Sequence, residues 1–437
     1  MHIVIIGSGP VGMTAGLLLA RAGHRITLVD RDAGPVAGDD WERVGVMQFR
    51  LPHGFRSQCR TLLRDRLPDV YEAIVDAGAV VVAPPGAPDD AAMLSVRRSV
   101  LERSIWESAS REPGISRVVG HVDRVEVVDG RAVGIVVDAR FLAADLMVDA
   151  SGRAGRLSAP HRPIRRRVDC GMAYAARLYR LRPGAEPGPG AEFVFNAQHR
   201  GFLILVFPHD HGTFTVLFVR PSEDRELAML RDAGAFEAAC RAVPGLAEWT
   251  DPERSEPIDR VRAGAGLTNE YGRQPTVAAL VAIGDAVCTT NPAGGRGTAL
   301  GLQSAAALAD LVAADVPIEK LGAELDRWGE AELLPWYLDH VEWDTTLLAS
   351  WAGRPVDPDG PIGLEVLVAA ARDRHPEWMA TLNLFFGMAV KPAALAPLRD
   401  EVRAMVRAGW QPAEPDGPTR DELAALIRAQ LEQPIPA

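Results

Sequence analysis

The sequence predicts an α/β protein: a Rossmann-like, dinucleotide-binding parallel sheet, interrupted by an inserted antiparallel β-sheet and followed by C-terminal helices. Three stretches predict it. The opening, residues 2–30, reads strand, glycine turn, helix, strand, acid. Residues 168–265 change texture to short apolar runs parted by turn residues. Val277–Ile283 reads again as a strand, running into Gly284-Asp285 and then a glycine turn that opens a long Ala/Leu helix.

In the opening, Ile3 to Ile6 is a continuous apolar run, the pattern of a strand buried on both faces. Gly7, Gly9 and Gly12 form G-x-G-x-x-G, and Val11, Ala15, Leu18, Leu19 and Ala22 follow at helical spacing. Gly7 suits the tight turn, Gly9 the close approach of backbone to a pyrophosphate, and Gly12 close helix–strand packing. Gly23 stands where a helix C-terminus accepts positive φ. Asp30, ending the second strand, is placed to accept hydrogen bonds from a ribose. The unit specifies a dinucleotide without saying which.

The next elements are read in order. Residues 31–40 form a Gly/Asp/Pro loop, and Leu62 to Ala77 shows helical spacing that stops at Gly78. Arg98 stands near the start of a helix carrying Leu101, Ile105 and Ala109 on one face. Ser116 to Val137 reads as strands around an Asp129-Gly130 hairpin turn, and Leu146–Val148 leads into DASGRAGR at 149–156. The basic run Arg165, Arg166 and Arg167 reads as a solvated hinge. YAARLYRLR, EFVFNA, GFLILVFP and GTFTVLFVR read as strands of the inserted sheet, with a helical piece from Glu226 to Ala242 after them. Beyond about 317 the chain reads as helices, the last one opened by a Thr419/Glu422 capping box.

Composition narrows the class. A chain of 437 residues holds two or three packed regions, and 24% charged with 47% hydrophobic residues is ordinary for a globular protein. The net charge of −11 and the lack of a long basic block exclude a nucleic-acid footprint. Cys59, Cys170, Cys240 and Cys288 are scattered without C-x-x-C, which fits reduced thiols in a cytoplasm. The chain enters a strand at once, with no signal-peptide pattern, and the first helix is too short for a bilayer. A cytoplasmic protein without stable membrane insertion is expected.

GSGPVG near the start, DASGRAGR at 149–156 and LVAIGDAVCTTNPAGGRGTALGLQSA at 280–305 together resemble the flavin-dependent monooxygenases of the p-hydroxybenzoate hydroxylase fold and their epoxidase and tailoring-oxygenase relatives. The resemblance spans roughly residues 1–330 and implies FAD over NAD. It implies that Asp285 bonds the ribityl and phosphate region, and that Pro292, Ala293, Gly294, Gly295 and Gly297 lie beside the isoalloxazine. Glycines there let backbone N–H groups approach the ring, and the helix N-terminus near Thr298 favours negative charge on reduced flavin. Arg98, in R-x-x-L-E, would contact FAD phosphates or ribityl, with Arg97 as its substitute. Arg43, in R-V-G-V-M-Q, would stand near the flavin and the substrate entrance, and a backbone contact to adenine is implied near Val122. DASGRAGR departs from the hydroxylase C-D-G-x-x-S pattern, so Asp149 and Gly152 are expected to be structural and a simple phenol substrate is disfavoured.

Other residues are weighed on chemistry. His53 follows a proline close after the Arg43 segment; it is either a flavin-facing catalytic group or a structural hydrogen-bonder. His209-Asp210-His211-Gly212 lacks a third spaced ligand and reads as a polar turn, so no metal is expected. Trp336, Tyr337, Trp343 and Trp351 either wall a substrate pocket or, the better reading, pack a core. The implied chemistry is hydroxylation or epoxidation of a hydrophobic, aromatic or polycyclic secondary-metabolite-type molecule through a flavin C4a-hydroperoxide, with Arg43, His53 and Pro292 nearest the reaction. Only one dinucleotide unit is complete, so NAD(P)H docks transiently or a separate flavin reductase supplies electrons. The alternatives are a flavin-dependent reductase of a prenyl or polyene chain and a non-catalytic flavin-binding partner. A halogenase is disfavoured because W-x-W-x-I-P is absent and no lysine precedes Lys320. The expected division is 1–165 with 266–330 for FAD, 166–265 for a substrate-covering sheet, and 331–437 for a helical side wall.

Overall fold

The N-terminal apolar run becomes the central strand, His2–Ile6, of a five-stranded parallel sheet. The computed structural model describes residues 1–36, 41–84, 86–153, 157–163, 165–414 and 416–432. Part of the loop after Asp30 and the last three residues of DASGRAGR lie outside the described residues. The strand order is Leu280–Ala282, Leu146–Asp149, His2–Ile6, Arg25–Asp30, Ile115–Val119. Alternation along the central strand sends Ile3 and Ile5 toward the helices Pro10–Arg21, Arg98–Arg111 and Gly297–Ala313. Val4 and Ile6 turn instead to an antiparallel meander, Val122–Val128, Arg131–Val137 and Arg140–Ala143. Both faces are covered, which is why the strand shows no polar alternation. The meander's turn falls on Asp129-Gly130, both at positive φ as a two-residue hairpin requires.

The first helix sits tightly on the strand tips. A Cβ on Gly12 would overlap the Gly7 carbonyl oxygen, and one on Gly7 would overlap the Ala150 carbonyl oxygen. Gly7 also has φ of +104°, a conformation costly for any other residue. The helix Gly297–Ala313 packs alongside, and a Cβ on Gly301 would stand 2.5 Å from a Val11 methyl.

The inserted sheet is antiparallel, ordered Phe195–His199, Phe202–Pro208, Thr213–Pro221, Met172–Leu181, Ser255–Pro257, with Arg262–Gly264 also on Met172–Leu181. Its two strands Phe202–Pro208 and Thr213–Pro221 are buried on both faces along nearly their whole length. Phe202, Ile204 and Val206 meet the helices Ala233–Ala242 and Arg420–Leu431, while Leu203, Leu205 and Phe207 face the rest of the molecule.

Several elements differ from the sequence expectation. Arg165–Arg167 belongs to a strand, Arg165–Asp169, paired with Thr268–Gly272, so it is not a hinge; its exposure hid it among loop residues. The helical stretch up to Ala77 divides into Ser57–Arg66 and Pro68–Asp76, because Pro68 starts a new helix. The piece before Ala242 is a 3₁₀ turn, Leu227–Arg231, then a helix capped by Asp232. The helix Arg420–Leu431, with its capping box, packs Leu423, Ala424 and Ile427 behind the inserted sheet, away from the other C-terminal helices. All four cysteines are buried and free, and among the described residues no helix is long and apolar enough to cross a membrane.

Gly12→Ala is expected to lower stability by about 1–3 kcal/mol, the usual cost of forcing an extra carbon into a packed contact. The shift of the denaturant midpoint in chemical unfolding measures it.

Candidate functional site

A cavity of about 1340 Å³ runs along the carboxyl ends of all five parallel strands, where α/β sheets bind their ligands. Gly7, Gly9, Asp30, Gly120, Ala150 and Ile283 line it just at or beyond the strand ends. The helices Pro10–Arg21 and Gly297–Ala313 open onto it through Gly9, Pro10, Gly297 and Thr298, so two positive helix ends face one space. A Cβ on Gly9 would meet only the Arg43 guanidinium, at 3.7 Å, leaving the open backbone a pyrophosphate needs. Tyr174, Phe207 and Leu217 of the inserted sheet close the other end.

Arg43 is the electrostatic centre of the first end. Its buried guanidinium donates to Asp30 at 2.6 Å, Asp32 at 3.1 Å, Glu102 at 2.9 Å and the Ser8 carbonyl at 3.1 Å. Arg98 also pairs with Glu102 and lines the cavity. The Asp30 carboxylate accepts from the Ser8 N–H at 2.7 Å and hydroxyl at 2.9 Å, and from the Asp32 N–H. Burial opposes its charge, but Arg43 and those donors outweigh burial and hold the carboxyl below the usual range. Arg97 is tied instead to the buried Asp210. The His209–Gly212 segment is thus a turn anchored by an ion pair, and among the described residues no group of side chains could hold a metal.

Asp285 lines the cavity with no hydrogen bond to its carboxylate among the described residues, and burial raises its pKa against the pull of Arg153 and Arg98. His53 donates from Nδ1 to the Leu51 carbonyl at 2.9 Å and stacks on Phe55. Burial, with Arg98 and His209 adding, drives its pKa down to about 3 against that hydrogen bond, so the ring is neutral with Nε2 as acceptor. Val122, Pro292, Gly295 and Gly297 line the same cavity. Gly12 and Gly294 stand behind the lining: Gly12 lets the helix close on the strand, and a Cβ on Gly294 would overlap the His340 ring. Asp149 is fully engaged by Ser151 and Ser158, a structural clamp.

The C-terminal helices brace the site without lining it. Trp336, Tyr337 and Trp351 are core residues and Trp343 is packed beside them; none of the four lines the cavity. The helix Leu334–Trp351 instead holds the Pro292 turn from behind. Asp344 accepts from Asn291 at 2.9 Å and Asn269 at 2.6 Å, while Asp339 pairs with Arg296. Arg56, missed in the sequence because nothing marks it in FRSQCR, donates to the Gly294 carbonyl at 2.5 Å. Burial and the neighbouring Arg296 lower its pKa to about 10.

Residues 1–39 match the family model described as FAD binding domain. Solved structures share the architecture at low identity. The flavin-dependent brominase Bmp2 is 17% identical with a TM-score of 0.67, over 93% of this chain and 100% of that one. PqsL, a probable FAD-dependent monooxygenase from Pseudomonas aeruginosa, is 16% identical with a TM-score of 0.58, over 81% and 99%. The Diels-Alderase PyrE3 of pyrroindomycin biosynthesis is 18% identical with a TM-score of 0.56, over 93% and 80%. The chain shares the fold of these structures. The glycine turn and Asp30 lie within the stretch that matches the FAD-binding family model. The residues fit FAD: an open glycine cradle at two helix ends for the diphosphate, and a carboxylate with unused acceptors for hydroxyls.

Asp344, pushed up to about 6 by burial against the hydrogen bonds it accepts, keeps a proton on folding that the unfolded chain loses above about pH 4. Its contribution to stability is therefore present below pH 4 and lost as pH rises through 6. Relative to Asp344→Asn, the unmodified protein is expected to lose roughly 1–3 kcal/mol between pH 4 and pH 7, measured as urea midpoints of both proteins across that range.

Proposed function

We propose that the chain is an FAD-dependent monooxygenase that hydroxylates or epoxidises a hydrophobic, aromatic or polycyclic molecule. NAD(P)H, or a separate flavin reductase, supplies the electrons. The observation that carries the reading is the continuity of one cavity from the FAD-binding frame to the apolar side chains of the inserted sheet. At about 1340 Å³ it exceeds the usual span of a single small-molecule pocket, room for a cofactor with a substrate beside it. In this reading residues 1–165 with 266–330 hold FAD, 166–265 cover the substrate, and 331–437 brace both.

Bound FAD, once reduced, supplies the activation of molecular oxygen. The chain's own tasks are binding, orientation and exclusion of water. Gly7, Gly9 and the two helix ends receive the diphosphate, Arg98 adds a guanidinium to it, and Asp30 and Asp285 receive hydroxyls. Val122 lies where the adenine backbone contact is expected. The turn from Pro292 to Gly297 supports the ring, with Arg56 polarising the Gly294 carbonyl from behind. Arg43 acts by fixing Asp30 and Glu102. Neutral His53 presents Nε2 as a hydrogen-bond acceptor that orients a substrate hydroxyl, and with its pKa driven down to about 3 it leaves the proton on that hydroxyl. Leu51, Phe207 and Leu217 keep water from the reacting end.

A halide-transferring reading is favoured by the likeness to the brominase Bmp2. It is disfavoured by the lining, which contains no lysine; Lys320 and Lys391 both lie elsewhere.

Purified protein is expected to take up FAD and not FMN, and to consume oxygen after anaerobic reduction. Product analysis with bromide present separates oxygen insertion from halogenation: a brominated product and no oxygenated one would overturn the proposal. Arg98→Ala is expected to weaken FAD binding about tenfold or more, the worth of one charge-assisted hydrogen bond, as read by flavin fluorescence titration.

A further inference from the structure

The Pro292–Gly297 turn is backed by more positive charge than the fold neutralises. Arg56 donates from Nη2 to the Gly294 carbonyl at 2.5 Å and from Nη1 to the Met93 sulfur at 3.6 Å. Its Nε is shut off from water with no hydrogen-bond partner, and no carboxylate stands within ion-pair distance of the guanidinium, among the described residues. Arg296 pairs with Asp339 at 2.7 Å, but Asp339 is shared with Arg399 at 2.8 Å, so one carboxylate answers two guanidinium groups. The helix Gly297–Ala313 starts at the same place and adds its positive end. His340, fully buried against Gly294, contributes no charge: burial, with Arg296 and Arg56 adding, pushes its pKa well below the usual histidine value.

Holding an unpaired guanidinium away from water is unfavourable unless an opposite charge stands near it. Burial and Arg296 draw the Arg56 pKa down only to about 10, so it stays charged at neutral pH. A Cβ on Gly295 would stand 3.2 Å from Arg56 Nη2, and Gly295 lines the cavity, so one peptide's thickness of chain parts the guanidinium from the cavity. A charge fixed that close, behind a dry turn, acts far more strongly than it would through water. Asp344 opposes it once ionised, near pH 6; its carboxyl faces the Asn269 and Asn291 amides, the Cys170 thiol, the His340 ring at 3.9 Å and the charge of Arg296.

We infer that Arg56 is the counter-charge of the reduced cofactor, raising the reduction potential of bound FAD through the Gly294–Gly295 peptide. The inference rests on the proposed reading, in which the flavin ring lies against this turn. Transfer of a hydride from NAD(P)H to FAD leaves oxidised nicotinamide and a flavin ring carrying one negative charge. Arg56 favours that state over the neutral oxidised ring. It does not line the cavity, so it is a positioning residue that acts through the turn it holds.

The test is anaerobic reduction of the FAD-loaded protein by dithionite in the presence of a reference dye, with the affinity for oxidised FAD titrated separately for every variant. Arg56→Met removes the charge and keeps an unbranched side chain. It is expected to shift the reduction equilibrium about tenfold to a hundredfold toward oxidised FAD, a midpoint about 30–60 mV lower for a two-electron couple. Affinity for oxidised FAD is expected to stay nearly unchanged. Arg56→Lys keeps the charge and is expected to recover most of the shift. Asp344→Asn removes an opposing charge behind the same turn. It is expected to raise the midpoint at pH 8, where that carboxyl is ionised, and to leave it in place at pH 5, where it is protonated. A midpoint unmoved in Arg56→Met overturns the inference. So does one lowered equally in Arg56→Met and Arg56→Lys, since shape and not charge would then be at work. Where Arg56→Met does not fold, Asp344→Asn decides, and an unmoved midpoint at pH 8 overturns the inference. A protein that binds no FAD overturns this inference and the functional reading together. One that binds FAD and inserts oxygen, with a midpoint indifferent to these substitutions, overturns the inference alone.

Discussion

The Arg43 guanidinium ties together four segments. Through Asp30 it holds the end of the second strand, through Asp32 the loop beyond, through Glu102 the helix Arg98–Arg111, and through the Ser8 carbonyl the glycine turn. Glu102 has no exposure at all and faces both Arg43 and Arg98. A buried cluster of this kind adds little net stability over an apolar packing of equal volume, since desolvation consumes most of the attraction. What it fixes is geometry. Asp30, Glu102 and the glycine turn keep their mutual positions because one planar fork reaches all three, and Glu102 in turn holds Arg98.

A second constraint acts from the far side. The Pro292–Gly297 turn carries few side chains of its own, and glycines leave it conformationally loose. The helix Leu334–Trp351 supplies the missing rigidity through Asp344 on Asn291, His340 against Gly294, and Asp339 on Arg296. Arg296 also lies over the rings of Trp336 and Phe385. The aromatic cluster in this helix is therefore structural support for the turn, one layer removed from the cavity. Sequence reading placed the helical region as a side wall; the lining shows it as a brace, because the turn itself stands between.

What was legible in the sequence was local. The strand–turn–helix unit, the Asp129-Gly130 hairpin, the inserted strands and the Thr419/Glu422 capping box are each written within about thirty residues, where period and turn chemistry suffice. What was hidden depends on tertiary partners. Arg165–Arg167 has no apolar face to announce a strand and gains its conformation only by pairing with Thr268–Gly272. The outward placement of Arg420–Leu431 follows from a demand elsewhere: Phe202, Ile204 and Val206 need a cover, and that helix provides part of it. Arg56 and Tyr174 carry no motif. Their meaning comes from what surrounds them, a carbonyl behind a turn or the wall of the cavity.

Around the cavity, polar groups divide by whether the protein already satisfies them. Arg43, Glu102 and Asp149 are bonded to their neighbours and have little left to offer a ligand, while Asp30 is crowded at Oδ2 and accepts one backbone N–H at Oδ1. Among the described residues, Asp285, His53 at Nε2 and Arg153 line the same space with bonding capacity unspent. Burial makes unspent capacity expensive, so a fold retains it only where something else completes it. The two sets also separate in space: the saturated groups cluster around the first glycine turn and the parallel strand ends, while the unsaturated ones run from Asp285 toward the inserted sheet. A cofactor held by backbone and helix ends needs few side chains, which leaves the remaining side chains free to discriminate among substrates.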